Sequence, residues 1–326
     1  MTMGGQGWVV FGAAADWGAG RRGAAEGPAA LRAAGLLEAL GTAAEDRGDL
    51  PAPTPLPPAA LVPAALVPAA LAPSALARLR PEGPAHHLPR IAAWVRAIRA
   101  EAAAILASGR RPLLLGGDHS LPMGSVAASA TAAAAAGRPL YLLWMDAHGD
   151  FNTPATSPSG NVHGMALAAL CGEPGLGDLW GAPAPPPVAP SRLALLGVRD
   201  LDPGEARLLR ARGAAVLGMD RLRAEGLAPL RRFLEEAVAA GGWLHVSLDV
   251  DVLDPTLMPG TGTPVPGGLS LEALAAALAL VRGSGLLRAL DLVELNPGLD
   301  PSGASARRAV ALVAPLLATP ALRDAA

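Results

Sequence analysis

The feature that most constrains this chain is an alternation. Six short runs rich in leucine or β-branched residues occur at Trp8–Phe11, Pro112–Leu115, Leu140–Met145, Leu193–Gly197, Trp243–Leu248 and Leu286–Val293. Between them lie stretches with helical composition or spacing: Ala29–Leu40, Pro89–Ala107, Gly124–Ala136, Pro203–Arg212, Ala228–Ala239 and Leu271–Arg282. The apolar runs have the length and bounding residues of strands buried on both faces. Strand and helix in alternation predict an α/β fold, a mainly parallel sheet with helices on both faces. No boundary splits the 326 residues, so residues 1–326 are expected to form a single domain.

One segment departs from the alternation. Pro51–Pro73 carries a five-residue echo, Ala-Leu-Val-Pro-Ala, with prolines at Pro63, Pro68 and Pro73. Proline at that spacing forbids a regular helix and favours an extended or turn-rich path. The segment reads as a proline-rich insertion at about 51–73, a surface connection of low complexity, with a partner-binding proline-rich segment as the alternative.

Charge and cysteine usage exclude several classes. The 26 basic residues are all arginine, and they nearly balance the acidic ones, leaving a net charge of −2 and a pI near 6.3. No electrostatic footprint for nucleic acid or an anionic membrane exists. The single cysteine, Cys171, rules out an intrachain disulfide and a cysteine-rich metal site, and it suits a reducing cytoplasm. Met1–Trp8 lacks the basic-then-apolar pattern of a signal peptide. Ala127–Ala136 is too short and too weakly apolar to span a bilayer.

Three clusters of metal-ligand residue types sit where expected strands end. They are Gly116-Gly117-Asp118-His119-Ser120, Asp146-Ala147-His148-Gly149-Asp150 and Ser247-Leu248-Asp249-Val250-Asp251. In open parallel sheets, ligands bind beyond the carboxyl ends of the strands, so the three clusters point to one crevice. Alternate residues on an extended strand end face one side, which gathers Asp146, His148 and Asp150, and likewise Asp249 with Asp251. Any one cluster could be a turn or a helix cap. Together they would crowd carboxylates at a desolvated site, which repulsion forbids unless a cation is present. Four carboxylates carry −4 against neutral His119 and His148, and two divalent ions neutralise that sum. Oxygen-dominated ligation with a minority of imidazole favours Mn²⁺ over Zn²⁺. His86 and His87 receive no role on this reading, and His245, inside a strand, reads as structural.

With these motifs the chain resembles the ureohydrolase family, which includes arginase, agmatinase and formiminoglutamase. The resemblance runs from about Trp8 to about Ala311, with the proline-rich segment as its main departure. It implies the arginase-like α/β fold with a central eight-stranded sheet, two Mn²⁺ per chain, and a homotrimer or homohexamer. It implies that His119, Asp146, Asp150 and Asp249 hold one ion and Asp146, His148, Asp249 and Asp251 the other.

The segment after Asp150, Phe151-Asn152-Thr153-Pro154-Ala155-Thr156-Ser157-Pro158-Ser159-Gly160-Asn161-Val162-His163-Gly164, resembles the arginase loop that holds the amino-acid end of the substrate. By that match Asn152, Ser157, Ser159 and Asn161 would bind the α-carboxylate. Arg199-Asp200-Leu201-Asp202-Pro203-Gly204-Glu205 is similar too, and assigns Asp202, with Glu205 nearby, to the α-amino group. Asp202 before Pro203 also reads as a helix N-cap. Thr261-Gly262-Thr263-Pro264 and Glu294-Leu295-Asn296-Pro297 complete the likeness, with Thr263 lining the pocket and Glu294 binding the guanidinium.

The resemblance therefore implies hydrolysis of L-arginine to L-ornithine and urea by a metal-bridging hydroxide, with Asp150 passing a proton to the leaving amine and His163 shuttling protons. Agmatine or another guanidino compound is the alternative substrate. A catalytically dead relative that binds a partner is the alternative of another class, and retention of all six ligands and Glu294 argues against it.

Overall fold

The computed structural model describes residues 7–55 and 85–318. Most of the proline-rich segment, residues 56–73, lies outside the described residues.

Among the described residues eight strands form one sheet: β1 (Trp8–Ala13), β2 (Ala44–Asp49), β3 (Arg111–Gly116), β4 (Leu140–Met145), β5 (Leu193–Leu196), β6 (Ala215–Leu217), β7 (Trp243–Asp249) and β8 (Leu287–Val293). Their order is β2-β1-β3-β8-β7-β4-β5-β6 and every neighbouring pair is parallel. The helices are α1 (Gly27–Ala33), α2 (Leu36–Leu40), α3 (Leu88–Ala107), α4 (Pro122–Ala135), α5 (Ala166–Leu170), α6 (Pro203–Arg212), α7 (Met219–Glu225), α8 (Ala228–Ala239), α9 (Leu271–Ser284) and α10 (Ala304–Leu317). The α/β fold expected from the alternation is present, with the eight-stranded sheet that the resemblance implied.

All six expected strands form, β4 with the expected bounds and the other five with ends shifted by one or two residues. The two that the apolar runs did not reveal, β2 and β6, are the edges of the sheet. β2 reads AEDRGD and is held through its charges: Arg32 Nε and Nη2 donate to Asp46 at 2.9 and 3.0 Å. β6 is only three residues long. The continuous helix expected over Ala29–Leu40 is instead two helices. Gly35, at φ 89°, breaks it in the left-handed region that glycine enters without steric cost.

The sheet alternates its side chains between two cores. Val10, Leu113, Leu115, Met145, Val246 and Leu292 face one side, against Leu31, Phe233, Leu274 and Val310. Val9, Phe11 and Leu114 face the other against Trp94 and Ile98, and Leu142, Trp144 and Leu195 do so against Val95, Val126 and Leu167. No helix among the described residues is long and apolar enough to cross a membrane.

Strand order is what positions the site. β3 and β4 are successive in sequence, yet β8 and β7 lie between them. The order reverses there, and the carboxyl ends of β3, β8, β7 and β4 stand side by side. Residues from the 110s, 140s, 240s and 290s thereby meet at one crevice.

Candidate metal centre and cleft

The turn after β3 aims His119 into the crevice. A Cβ at Gly117 would lie 1.7 Å from the Ala15 carbonyl oxygen, so only glycine fits this close backbone crossing. Asp118, fully buried, secures the turn: Oδ2 accepts from Gly18 N at 2.7 Å and Oδ1 from Ser120 N at 2.9 Å. His119 then places Nε2 3.0 Å from Ser247 Oγ on β7. Its ring stacks on Trp144, with centroids 3.9 Å apart and planes 8° apart.

Three carboxylates converge on the other face of His119. Nδ1 lies 2.8 Å from Asp146 Oδ2, 3.2 Å from Asp150 Oδ2 and 3.3 Å from Asp249 Oδ2. None of these contacts is directed as a hydrogen bond, so a buried Nδ1 has no hydrogen-bond partner. An unpartnered imidazole nitrogen facing three carboxylate oxygens is a donor set that a divalent cation fits.

A second group adjoins the first through Asp146. His148 Nδ1 lies 3.2 Å from Asp146 Oδ1 and 3.1 Å from Asp251 Oδ2. His148 N–H also donates to Asp146 Oδ1 at 2.7 Å, and Asp251 N–H to Asp249 Oδ1 at 2.7 Å. Two groups could each hold an ion: His119, Asp146 and Asp249, and Asp146, His148 and Asp251. Asp146 is common to both. Asp150 borders the first group through its contact with His119, and Asp249 adjoins the second through Asp251.

The electrostatics follow from this crowding. Burial and the neighbouring carboxylates of Asp251 and Asp146 push Asp249 well above the carboxylate range. Burial, then Asp146, lifts Asp150 to about 6. Burial opposes charge on His119 and His148, but the facing carboxylates outweigh it and raise both pKa values. The protons required here are ones that divalent ions would replace.

A cleft of about 160 Å³ opens beside these groups. His148, Asp150 and His163 line its inner end. The loop residues Asn152, Ser157, Ser159 and Asn161 line one wall, and Asp202, Glu205 and Thr263 complete it. Asp200, which carried no expected role, lines it too. Glu294 is not among the lining residues. It follows β8 directly at φ 63°, buried, where Oε1 accepts from His119 N at 2.8 Å and lies 3.1 Å from His163 Nδ1. Asp150 likewise has positive φ, 48°. Non-glycine residues held there mark backbone strain, which collects at functional sites.

The chain matches the family model described as "Arginase family" over residues 6–318. The chain belongs to the arginase family. A curated arginase of Brucella melitensis is 38% identical over 312 residues, covering 94% of this chain and 95% of that protein. An arginase of Bacillus caldovelox is 35% identical over 318 residues, 94% of this chain and 96% of its own. A crystal structure of arginase from Bacillus subtilis superposes with a TM-score of 0.81 at 32% identity, covering 97% of this chain and all of that one.

In this arginase-family chain the loop groups are also tied to one another. Asn152 Nδ2 donates to Asp202 Oδ2 at 2.9 Å, and Asn152 Oδ1 accepts from Thr156 Oγ1 at 3.0 Å. Ser157 Oγ accepts from Gly160 N at 2.9 Å and Ser159 Oγ from Asn161 N at 3.2 Å, which leaves each serine O–H able to donate outward. Glu205 Oε1 accepts from Phe151 N at 2.6 Å, and Oε2 accepts from Asp202 N at 3.3 Å, as in a capping box for α6. Burial raises Glu205 to about 8. Its carboxyl holds main-chain groups beneath the cleft.

Several residues beside these groups carried no site role in the sequence. Trp144 Nε1 donates to Asp146 Oδ2 at 3.2 Å and to Asp150 Oδ2 at 3.3 Å. His86 N donates to Gly160 O at 2.9 Å, and its Nε2 lies 3.1 Å from Ser159 O, tying the Asn/Ser loop to the start of α3. Beneath Ser247, the buried His245 joins Ser129 Oγ at 2.8 Å and Asp291 Oδ2 at 2.8 Å, consistent with its structural reading. Trp144 and Ser247 each precede a candidate ligand by two positions. That period was the available signal, since alternate strand residues share a face.

Proposed function

We propose that this arginase-family hydrolase converts L-arginine and water to L-ornithine and urea with two Mn²⁺ per chain. The observation that carries the reading is the pair of donor groups sharing Asp146 at the inner end of a cleft walled by an Asn/Ser loop. Curated relatives named arginase across nearly the whole chain support the substrate.

His119, Asp146, Asp150 and Asp249 would hold one ion, and Asp146, His148, Asp249 and Asp251 the other. When bound, the ions supply an acidified water as nucleophile and offset the charge of four carboxylates. Oxygen-rich ligation with two imidazoles favours manganese. The remaining work falls to the chain. The outward-facing O–H groups of Ser157 and Ser159 and the amide of Asn161 donate to the α-carboxylate, and Asn152 holds Asp202 toward the α-ammonium. Thr263 lines the cleft, and the Glu294 carboxylate, beside the cleft-lining His163, attracts the guanidinium.

As water oxygen bonds to the guanidinium carbon, the bond from that carbon to the chain nitrogen breaks. The leaving nitrogen must gain a proton. Asp150, at the metal end of the cleft, is placed to hand one over, and His163, lining the same cleft, exchanges protons with solvent. Asn152 gives one amide N–H to Asp202 and accepts from Thr156, which leaves its second N–H to donate to the α-carboxylate.

The same reading carries a cytoplasmic location and a homotrimer or homohexamer. Burial pushes the Cys171 thiol up to about 12, which makes it inert rather than a redox centre. The test is product analysis: manganese-loaded protein should release equimolar urea and ornithine from L-arginine. Conversion of agmatine to putrescine and urea with equal efficiency would overturn the substrate assignment.

A further inference from the structure

We infer that Arg199 is a positioning residue for the metal centre, fixing the loops that carry Asp251, His148 and Thr263. The inference rests on the two-ion reading above.

The hydrogen bonds from its guanidinium all end on main-chain carbonyls. Nε donates to Val265 O at 3.0 Å. Nη1 donates to Gly197 O and Val252 O, each at 3.2 Å. Nη2 donates to Asp251 O at 2.7 Å, Leu253 O at 3.2 Å and Val265 O at 2.8 Å. Its own main-chain N–H donates to Ala147 O at 2.8 Å. One residue thus touches the end of β5, the turn after β7, the stretch just past Thr263 and the peptide between Asp146 and His148.

The carbonyls of residues 251–253 leave a 3-10 turn at a strand end and need donors. A planar guanidinium presents five N–H groups in a fixed fork and can serve several at once, which a lysine ammonium with three donors cannot. The close fit extends to Gly268, where a Cβ would come within 2.7 Å of Arg199 Nη2. Burial disfavours the charge on this arginine, while Asp251 and Asp146 favour it. The cation therefore also sits behind the carboxylates of the centre.

The consequence is unequal for the two donor groups. Asp251 is fixed on every side: its carbonyl by Arg199, Oδ1 by Ala147 N at 3.0 Å, and Oδ2 by Thr263 Oγ1 at 3.1 Å. Ala147 in turn is held by Arg199, between Asp146 and His148. His119 leans instead on Ser247 and Trp144, and Asp249 is carried as the last residue of β7 itself. Loss of Arg199 should therefore loosen the Asp146–His148–Asp251 group and leave the His119–Asp146–Asp249 group largely intact.

The experiment measures Mn²⁺ binding to chelator-stripped wild type, R199M and R199K by calorimetry, with circular dichroism to check the fold. Wild type should bind two ions per chain. R199M should bind one with near wild-type affinity and the other on the order of 10–100-fold more weakly, as when a partner that orients ligands is removed. R199K should fall between. Two ions bound by R199M with wild-type affinities would overturn the inference alone. Should R199M fail to fold, R199K decides: selective weakening of one ion supports the role, whereas equal weakening of both or none overturns it. A wild type that binds fewer than two ions would overturn the two-ion reading and this inference with it.

Discussion

Trp144 lies flat against His119 at 3.9 Å while its indole N–H points at both Asp146 and Asp150. A single side chain thus orients three of the six proposed ligands. Trp144→Phe keeps the stack and removes the donor. Each charge-assisted hydrogen bond is worth about 1.5–3 kcal/mol, so manganese affinity should fall by roughly tenfold or more with the fold retained. Metal titration of the two proteins checks this, and an unchanged affinity would mean that the indole N–H does not orient the carboxylates.

His163 and Glu294 give the pH dependence. Burial pulls the pKa of His163 down, but the adjacent Glu294 carboxylate outweighs it and lifts the group to about 9. A histidine raised in the folded state contributes stability that is complete below its ordinary value near 6.5. That contribution is lost as pH rises through about 9. Wild type should lose stability across this window, and His163→Asn should show a flatter curve. Loss of the same proton frees Glu294 for the substrate cation, so kcat/KM should climb on the alkaline side. A wild-type profile peaking below pH 6, or an identical alkaline limb in His163→Asn, would contradict the assignment.

The α-carboxylate is the whole difference between arginine and agmatine at the loop. Ser159→Ala combined with Asn161→Ala removes two donors that would be charge-assisted in the complex, at roughly 1.5–3 kcal/mol each. The kcat/KM for L-arginine should drop by on the order of a hundredfold, while any activity toward agmatine stays nearly constant. Steady-state kinetics with both substrates on both proteins makes the comparison. An unchanged ratio of the two efficiencies would show that the loop does not read the carboxylate.

The central fold and the ligand groups were legible because both rest on local pattern. β4 is a continuous apolar run followed at once by Asp146 and His148, and β7 sets Leu244, Val246 and Leu248 in alternation before Asp249, its last residue, and Asp251. The edge strand β2 was not legible, since an edge needs no apolar face and Ala44–Asp49 has none. The break at Gly35 hid inside a sequence with good helical composition. Arg199 could be read as part of a motif, but its partners are main-chain carbonyls far along the chain, which no side-chain pattern announces. The role proposed for Glu294 came from likeness alone. Its engagement with His119 N–H and His163 depends on a left-handed residue at the end of β8.

The central claim is a two-ion centre built on a shared Asp146, and metal content per chain tests it most directly. Protein loaded with Mn²⁺ and freed of excess should hold two ions by mass spectrometry. Asp146→Ala, which removes the carboxylate common to both groups, should hold none and release no urea from L-arginine. A single tightly held zinc in the wild type, or two ions retained by Asp146→Ala, would contradict the account.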